Sequence, residues 1–178
     1  KRASEAFDER VAPGLDSKLA LQRKRLRARS VFELGDSETA LKLIKSDKDR
    51  EADLLRGDIF WRTRDWVSAG KVFERLIGNA GRDGRRINDL SAAIILNWVV
   101  SLSMSEQVDA LNKVRQIYST QMDMTEYRDA FRLITNKTEG DMQDFRTLTE
   151  RFKEIGRFQA FLSTYREKLK TKLLSEMN

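Results

Sequence analysis

Apolar residues along this chain recur at three- and four-residue steps, broken at intervals by glycine and by residues that cap helices. That period belongs to helices buried along one face. A first helix is expected from about Ser17 to Leu34, stopped by Gly35, a residue suited to a left-handed C-terminal cap. Asp36 or Ser37 opens a second, ending near Lys45. Ser46 or Asp47 opens a third that runs to Thr63, and Asp65 caps a fourth ending before the loop Gly78 to Gly84. A fifth starts at Asn88 or Asp89 and runs to Met104, and Ser105 caps a sixth that reaches Tyr118. Asp123, with Glu126 three residues on, has the capping-box pattern for a seventh helix ending near Asn136. Gly140 and Asp141 open an eighth, closed by Gly156, and a ninth runs from Arg157 to about Glu176. No stretch alternates apolar and polar residues over strand length between hairpin turns, so no sheet is expected. The turn Ala12-Pro13-Gly14 separates an arm, residues 1–14, from residues 15–178, which read as a single helical domain.

Residues 52–77 carry the densest signal. They read as one helix, a tight turn at Arg64 and Asp65, and a second helix packed back on the first. Gly57 and Ala69 have little or no side chain, which lets the paired helices approach closely. Phe60, Trp66 and Phe73 fill the space around that contact, with Trp66 plugging the turn. This order of small, aromatic, small and aromatic residues resembles the tetratricopeptide repeat. The second helix of each pair keeps a weak register: Ala40, Ala69 and Ala110, followed four residues on by Ile44, Phe73 and Val114. The spacing departs from the family: Ala40 to Ala69 is 29 residues and Ala69 to Ala110 is 41, against about 34 in that repeat. Gly156-Arg157-Phe158 with Phe161 and Tyr165 repeats the turn-plus-aromatics arrangement. The resemblance implies an all-α, right-handed α-α superhelix of about four tetratricopeptide-like helix pairs plus a C-terminal capping helix. It also implies a protein–protein interaction scaffold, holding a peptide or helix of a partner protein in a concave groove. Residues 129–169 look like the C-terminal end of large helical-repeat proteins of the bacterial cell envelope, which suggests that location and a longer parent protein.

Composition narrows the chemistry. Cysteine and histidine are both absent from the 178 residues. Thiolate nucleophiles, disulfides, the commonest general base and the commonest transition-metal ligand are therefore excluded. Carboxylate pairs such as Asp141 with Asp144 and Glu150 with Glu154 read as caps and surface charge, so no enzyme, cofactor or metal site is expected. The loop Gly81 to Arg86 follows a helix and lacks the lysine and hydroxyl residue of a nucleotide loop, so it reads as a flexible connector. No apolar run approaches the ~20 residues that span a bilayer. Net charge is +6, compatible with an acidic partner.

Two clusters are candidate partner-binding sites. On the first helix Lys18, Gln22, Arg25, Arg29 and Phe32 share a stripe. By the resemblance it corresponds to a concave, electropositive face for an acidic peptide, with a solvated helix face as the bland reading. On the third helix Asp58, Trp61 and Arg62 lie beside the stripe that faces the partner helix. A tryptophan flanked by charges suits an interface anchor, and its alternative is packing against the strongly apolar fifth helix. Trp66 and Trp98 are expected in the core. Nucleic-acid or anionic-surface binding through the basic first helix is the alternative function. It lacks interleaved aromatics, and 28 acidic residues offset the field.

Overall fold

The computed structural model of the protein describes residues 17–136. By internal packing the chain divides into units 1–135 and 136–178, and all the helices described here belong to the first. They are α1 (Ser17–Glu33), α2 (Ser37–Ile44), α3 (Arg50–Arg62), α4 (Trp66–Ile77), α5 (Asp89–Met104), α6 (Val108–Met122) and α7 (Arg128–Thr135). The described residues are all-helical. The eighth and ninth helices expected from the sequence, and the arm at 1–14, lie outside the described residues. None of the described helices is long and apolar enough to cross a membrane.

Three helix-to-helix turns share one hydrogen-bond pattern. After α1, Asp36 N–H donates to the Val31 carbonyl at 3.2 Å and Gly35 N–H to Phe32 at 2.9 Å. After α3, Asp65 donates to Phe60 at 2.9 Å and Arg64 to Trp61 at 3.2 Å; after α5, Gln107 donates to Leu102 at 2.9 Å and Glu106 to Ser103 at 3.3 Å. This is the Schellman closure, which satisfies carbonyls left open at a helix end and requires a left-handed residue. Gly35 has φ 96°, Arg64 60° and Glu106 57°. The residue that completes each turn is also the N-cap of the next helix. Asp36 accepts from Thr39 N–H at 2.9 Å and Asp65 from Ser68 N–H at 3.1 Å. Gln107 makes no side-chain cap bond.

The turns correct three expectations about boundaries. Ser105 closes α5 and does not open α6: its hydroxyl donates to the Ser101 carbonyl at 2.7 Å, leaving Gln107 as the N-cap. The register therefore moves by one residue. The position of Ala40 and Ala69, whose N–H groups donate to the N-cap carbonyls, is taken in the third pair by Leu111 and not Ala110. Asp123 does not open α7. It ends α6, and its carboxylate accepts from Arg132 at 2.8 and 2.7 Å, while α7 starts only at Arg128. Asp47, similarly, is drawn away from capping by Arg25, and α3 begins at Arg50.

Packing follows the turns. α1 lies on α2, α3 on α4, and α5 on α4, α6 and α7. α5 is buried from Ala92 to Leu102 on every side, which explains why its sequence is apolar all round. Ala28 and Phe32 of α1, Ala40 and Ile44 of α2, and Leu55 and Ile59 of α3 form one core cluster. Between α3 and α4 the close approach expected at Gly57 is present. A Cβ there would stand 3.0 Å from Phe73 Cε1 and 3.6 Å from Val72 Cγ1.

Candidate functional site

The cationic stripe of α1 divides when folded. Arg25 Nε donates to Asp47 Oδ2 at 2.6 Å and its Nη2 to Oδ1 at 3.0 Å, a two-pronged pair. The same guanidinium reaches Asp49 and lies 3.6 Å from Glu51. Asp47 also accepts from Asp49 N–H at 3.0 Å. Burial alone pushes the Asp47 carboxyl up; the Arg25 hydrogen bond, the Asp49 N–H and the Arg25 and Arg56 charges outweigh it and hold the carboxyl below its ordinary value. The hydrogen bond that Arg25 donates to Asp47 in turn raises the Arg25 pKa. Arg56 donates to the Ile44 and Asp47 carbonyls and to Asp53, which Arg75 also bridges at 2.9 Å. Arg25 is therefore a latch joining α1 to the α2–α3 connection. Arg29 is half-buried. Phe32 is core, 7% exposed.

Asp58 is also inside, 5% exposed. Trp61 is half-buried and meets α4. Its ring stands edge-on to Trp66 at 5.2 Å and to Phe73 at 6.0 Å. Trp66 departs from its expected core position: it is the first residue of α4 and stays half-buried against Trp61. Trp98 is core, 5% exposed, with Tyr118 edge-on at 6.3 Å. Arg62 is exposed and lies over the Phe32 ring, 4.4 Å from its centroid. Its Nη1 donates to Glu33 Oε1 at 2.9 Å.

Phe32 and Arg62 thus meet beside the first two hairpin turns, with Trp61 next to Arg62 in the chain, whereas Arg25 is tied to Asp47 and Asp58 is inside. Two exposed apolar residues next to these turns carried no expectation from sequence. Leu34 and Val67 are 61% and 47% exposed, and Glu33 pairs with Arg62. Leu34 sits directly before the terminating Gly35 and Val67 directly after Trp66, positions where an apolar residue gains little from helix burial. That placement was the available signal. The ends of α1 and α3 and the start of α4 thus carry two exposed aliphatics, two half-buried indoles and a guanidinium stacked on an aromatic ring.

The loop before α5 is pinned and is not a free connector. Gly81, at φ 72°, accepts from Gln121 Nε2 at 2.7 Å, and a Cβ there would meet Ile87 at 2.6 Å. Among the described residues no group of acidic side chains is placed to hold a metal ion. Compared with known proteins, the chain matches no family model, no curated protein and no solved structure.

Proposed function

We propose that the chain is a protein-binding scaffold built from tetratricopeptide-like helix hairpins, stacked as a right-handed superhelix, and that it takes a peptide or helix of a partner protein. On this reading it binds and does not catalyse. The observation that carries it is the repetition of one Schellman turn after α1, α3 and α5, each turn doubling as the next helix's N-cap. The small-against-aromatic contact of Gly57 with Phe73 supports it. A unit of this kind has an apolar face that only a neighbour covers, and stacking such units leaves surfaces suited to recognition.

The binding surface assigned here is the edge around Trp61 and Arg62. Tryptophan and arginine are enriched among residues that dominate binding energy, and the indoles there keep part of their surface. A photoreactive benzophenone amino acid at position 34 or 67 of the full chain, expressed in its own cells, tests this. Position 74 on exposed α4 surface is the control. Discrete protein adducts from positions 34 and 67 alone are expected. Adducts equal at all three positions, or none at any, contradict the assignment.

A further inference from the structure

We infer that the outward face of α1 is a second docking surface, made for an acidic amphipathic helix of another protein. It shares the binding reading given above but uses different residues. At 100° per residue, Leu19, Arg23 and Leu26 fall on one stripe, opposite the inward-facing Ala28 and Phe32 of the core cluster. Leu19 is 40% exposed and Leu26 50%. Their seven-residue separation is two helical turns, the spacing at which a docked helix places its anchors.

Two exposed leucines alone would be ordinary. The charge around them is not. No acidic residue occurs in α1 before Glu33, and Glu33 is taken by Arg62. Arg23, on the stripe between the two leucines, is exposed and forms no ion pair among the described residues. α1 has no acidic residue in its first turn and no basic residue in its last, the reverse of what the helix dipole favours. Arg25 shows the contrast, since its charge is met by Asp47 and Asp49 within the fold. The complement that Arg23 lacks is an Asp or Glu set beside an apolar stripe. A lipid surface fits less well. The stripe has no tryptophan or phenylalanine to seat at the headgroup level, and two half-exposed leucines offer little area for insertion.

The test is selection from a phage-displayed library of randomised amphipathic helices on the immobilised full chain. The selected helices are then titrated against wild type, Leu19→Asp/Leu26→Asp and Arg23→Glu. All three positions are exposed, and circular dichroism checks that each variant folds. Enriched helices are expected to carry apolar residues seven apart flanked by Asp or Glu. They should bind wild type at least tenfold tighter than either variant and weaken as salt rises. Helices without acidic bias, helices that bind the variants as well as wild type, or no enrichment at all would overturn the inference. If binding survives in the α1 variants but is lost in Trp61→Ala, the α1 surface is refuted while the scaffold reading stands. Co-sedimentation with phosphatidylglycerol–phosphatidylcholine vesicles, lost in the same α1 variants and without helix binding, would replace the protein partner by a membrane.

Discussion

Gly57 stands where even a methyl group meets Phe73 at 3.0 Å. Alanine there gains roughly 1 kcal/mol of helix propensity and loses a comparable amount pushing the ring aside, so Gly57→Ala is expected to leave urea stability nearly unchanged. Gly57→Val adds more bulk with a smaller helix benefit and should cost about 1–3 kcal/mol. A Gly57→Val protein as stable as wild type would show that the helices do not depend on this close approach. That contact was legible in the sequence because small and aromatic residues at helical spacing have few other uses. The Arg25 latch was not legible. Its partner Asp47 lies 22 residues away, and a helical arginine looks the same in sequence whether it is solvated or paired. Removing Arg25 strands a carboxylate whose side chain is 4% exposed. Arg25→Met should therefore cost about 2–3 kcal/mol, lowered from the fully buried case by the guanidinium's residual exposure. The Asp47 and Asp53 carboxyls are both held below their ordinary value in the fold. Their contribution is present above the ordinary carboxylate pKa of about 3.9 and is lost as pH falls through the lower folded value. With no histidine in the chain, melting temperature should be flat from about pH 6 to 8 and fall below about pH 4. Asp47→Asn should start lower and fall less steeply in acid. An equally steep fall in the variant would remove Asp47 from the account.

Among the elements, helix identity was readable while helix starts were less so. Gly35 and the cap at Asp65 stand where a terminator and a cap were expected, because each makes a local bond that its own neighbours in sequence supply. Ser105 and Asp123 were misplaced for the opposite reason. A hydroxyl or carboxylate near a helix end serves the preceding carbonyls or a distant arginine as readily as the next helix. Here Ser101 and Arg132 claimed them. The three turns give an internal comparison. Asp36 and Asp65 cap with their side chains, whereas Gln107 makes no cap bond. Asp65→Ala should destabilise by about 1 kcal/mol, and Gln107→Asp should stabilise by a similar amount. A Gln107→Asp variant with an unchanged or lower denaturation midpoint would show that the third turn is not equivalent to the others.

At the scale of the molecule, the helical class followed from periodicity, and the described residues bear it out with seven helices. The binding edge was only half visible from sequence. Trp61 and Arg62 were singled out by residue type, but their companions come from α1 and from the start of α4, elements that only tertiary packing brings alongside. Glu33 and Phe32 reach Arg62 across 29 and 30 positions of chain. The same packing turned Phe32 and Asp58 inward, which helical periodicity alone does not decide for residues at the border of an apolar stripe. The central claim is that this edge holds a partner protein. Its most direct measurement is the dissociation constant of the cross-linked partner, by calorimetry, for wild type, Trp61→Ala and Arg62→Glu, each checked by thermal melting. Truncating an interface anchor removes about 2 kcal/mol or more, so both variants should bind more than tenfold more weakly while Arg62→Glu melts like wild type. Unchanged affinity in a folded Arg62→Glu protein, together with unchanged affinity or outright unfolding in Trp61→Ala, would contradict the account.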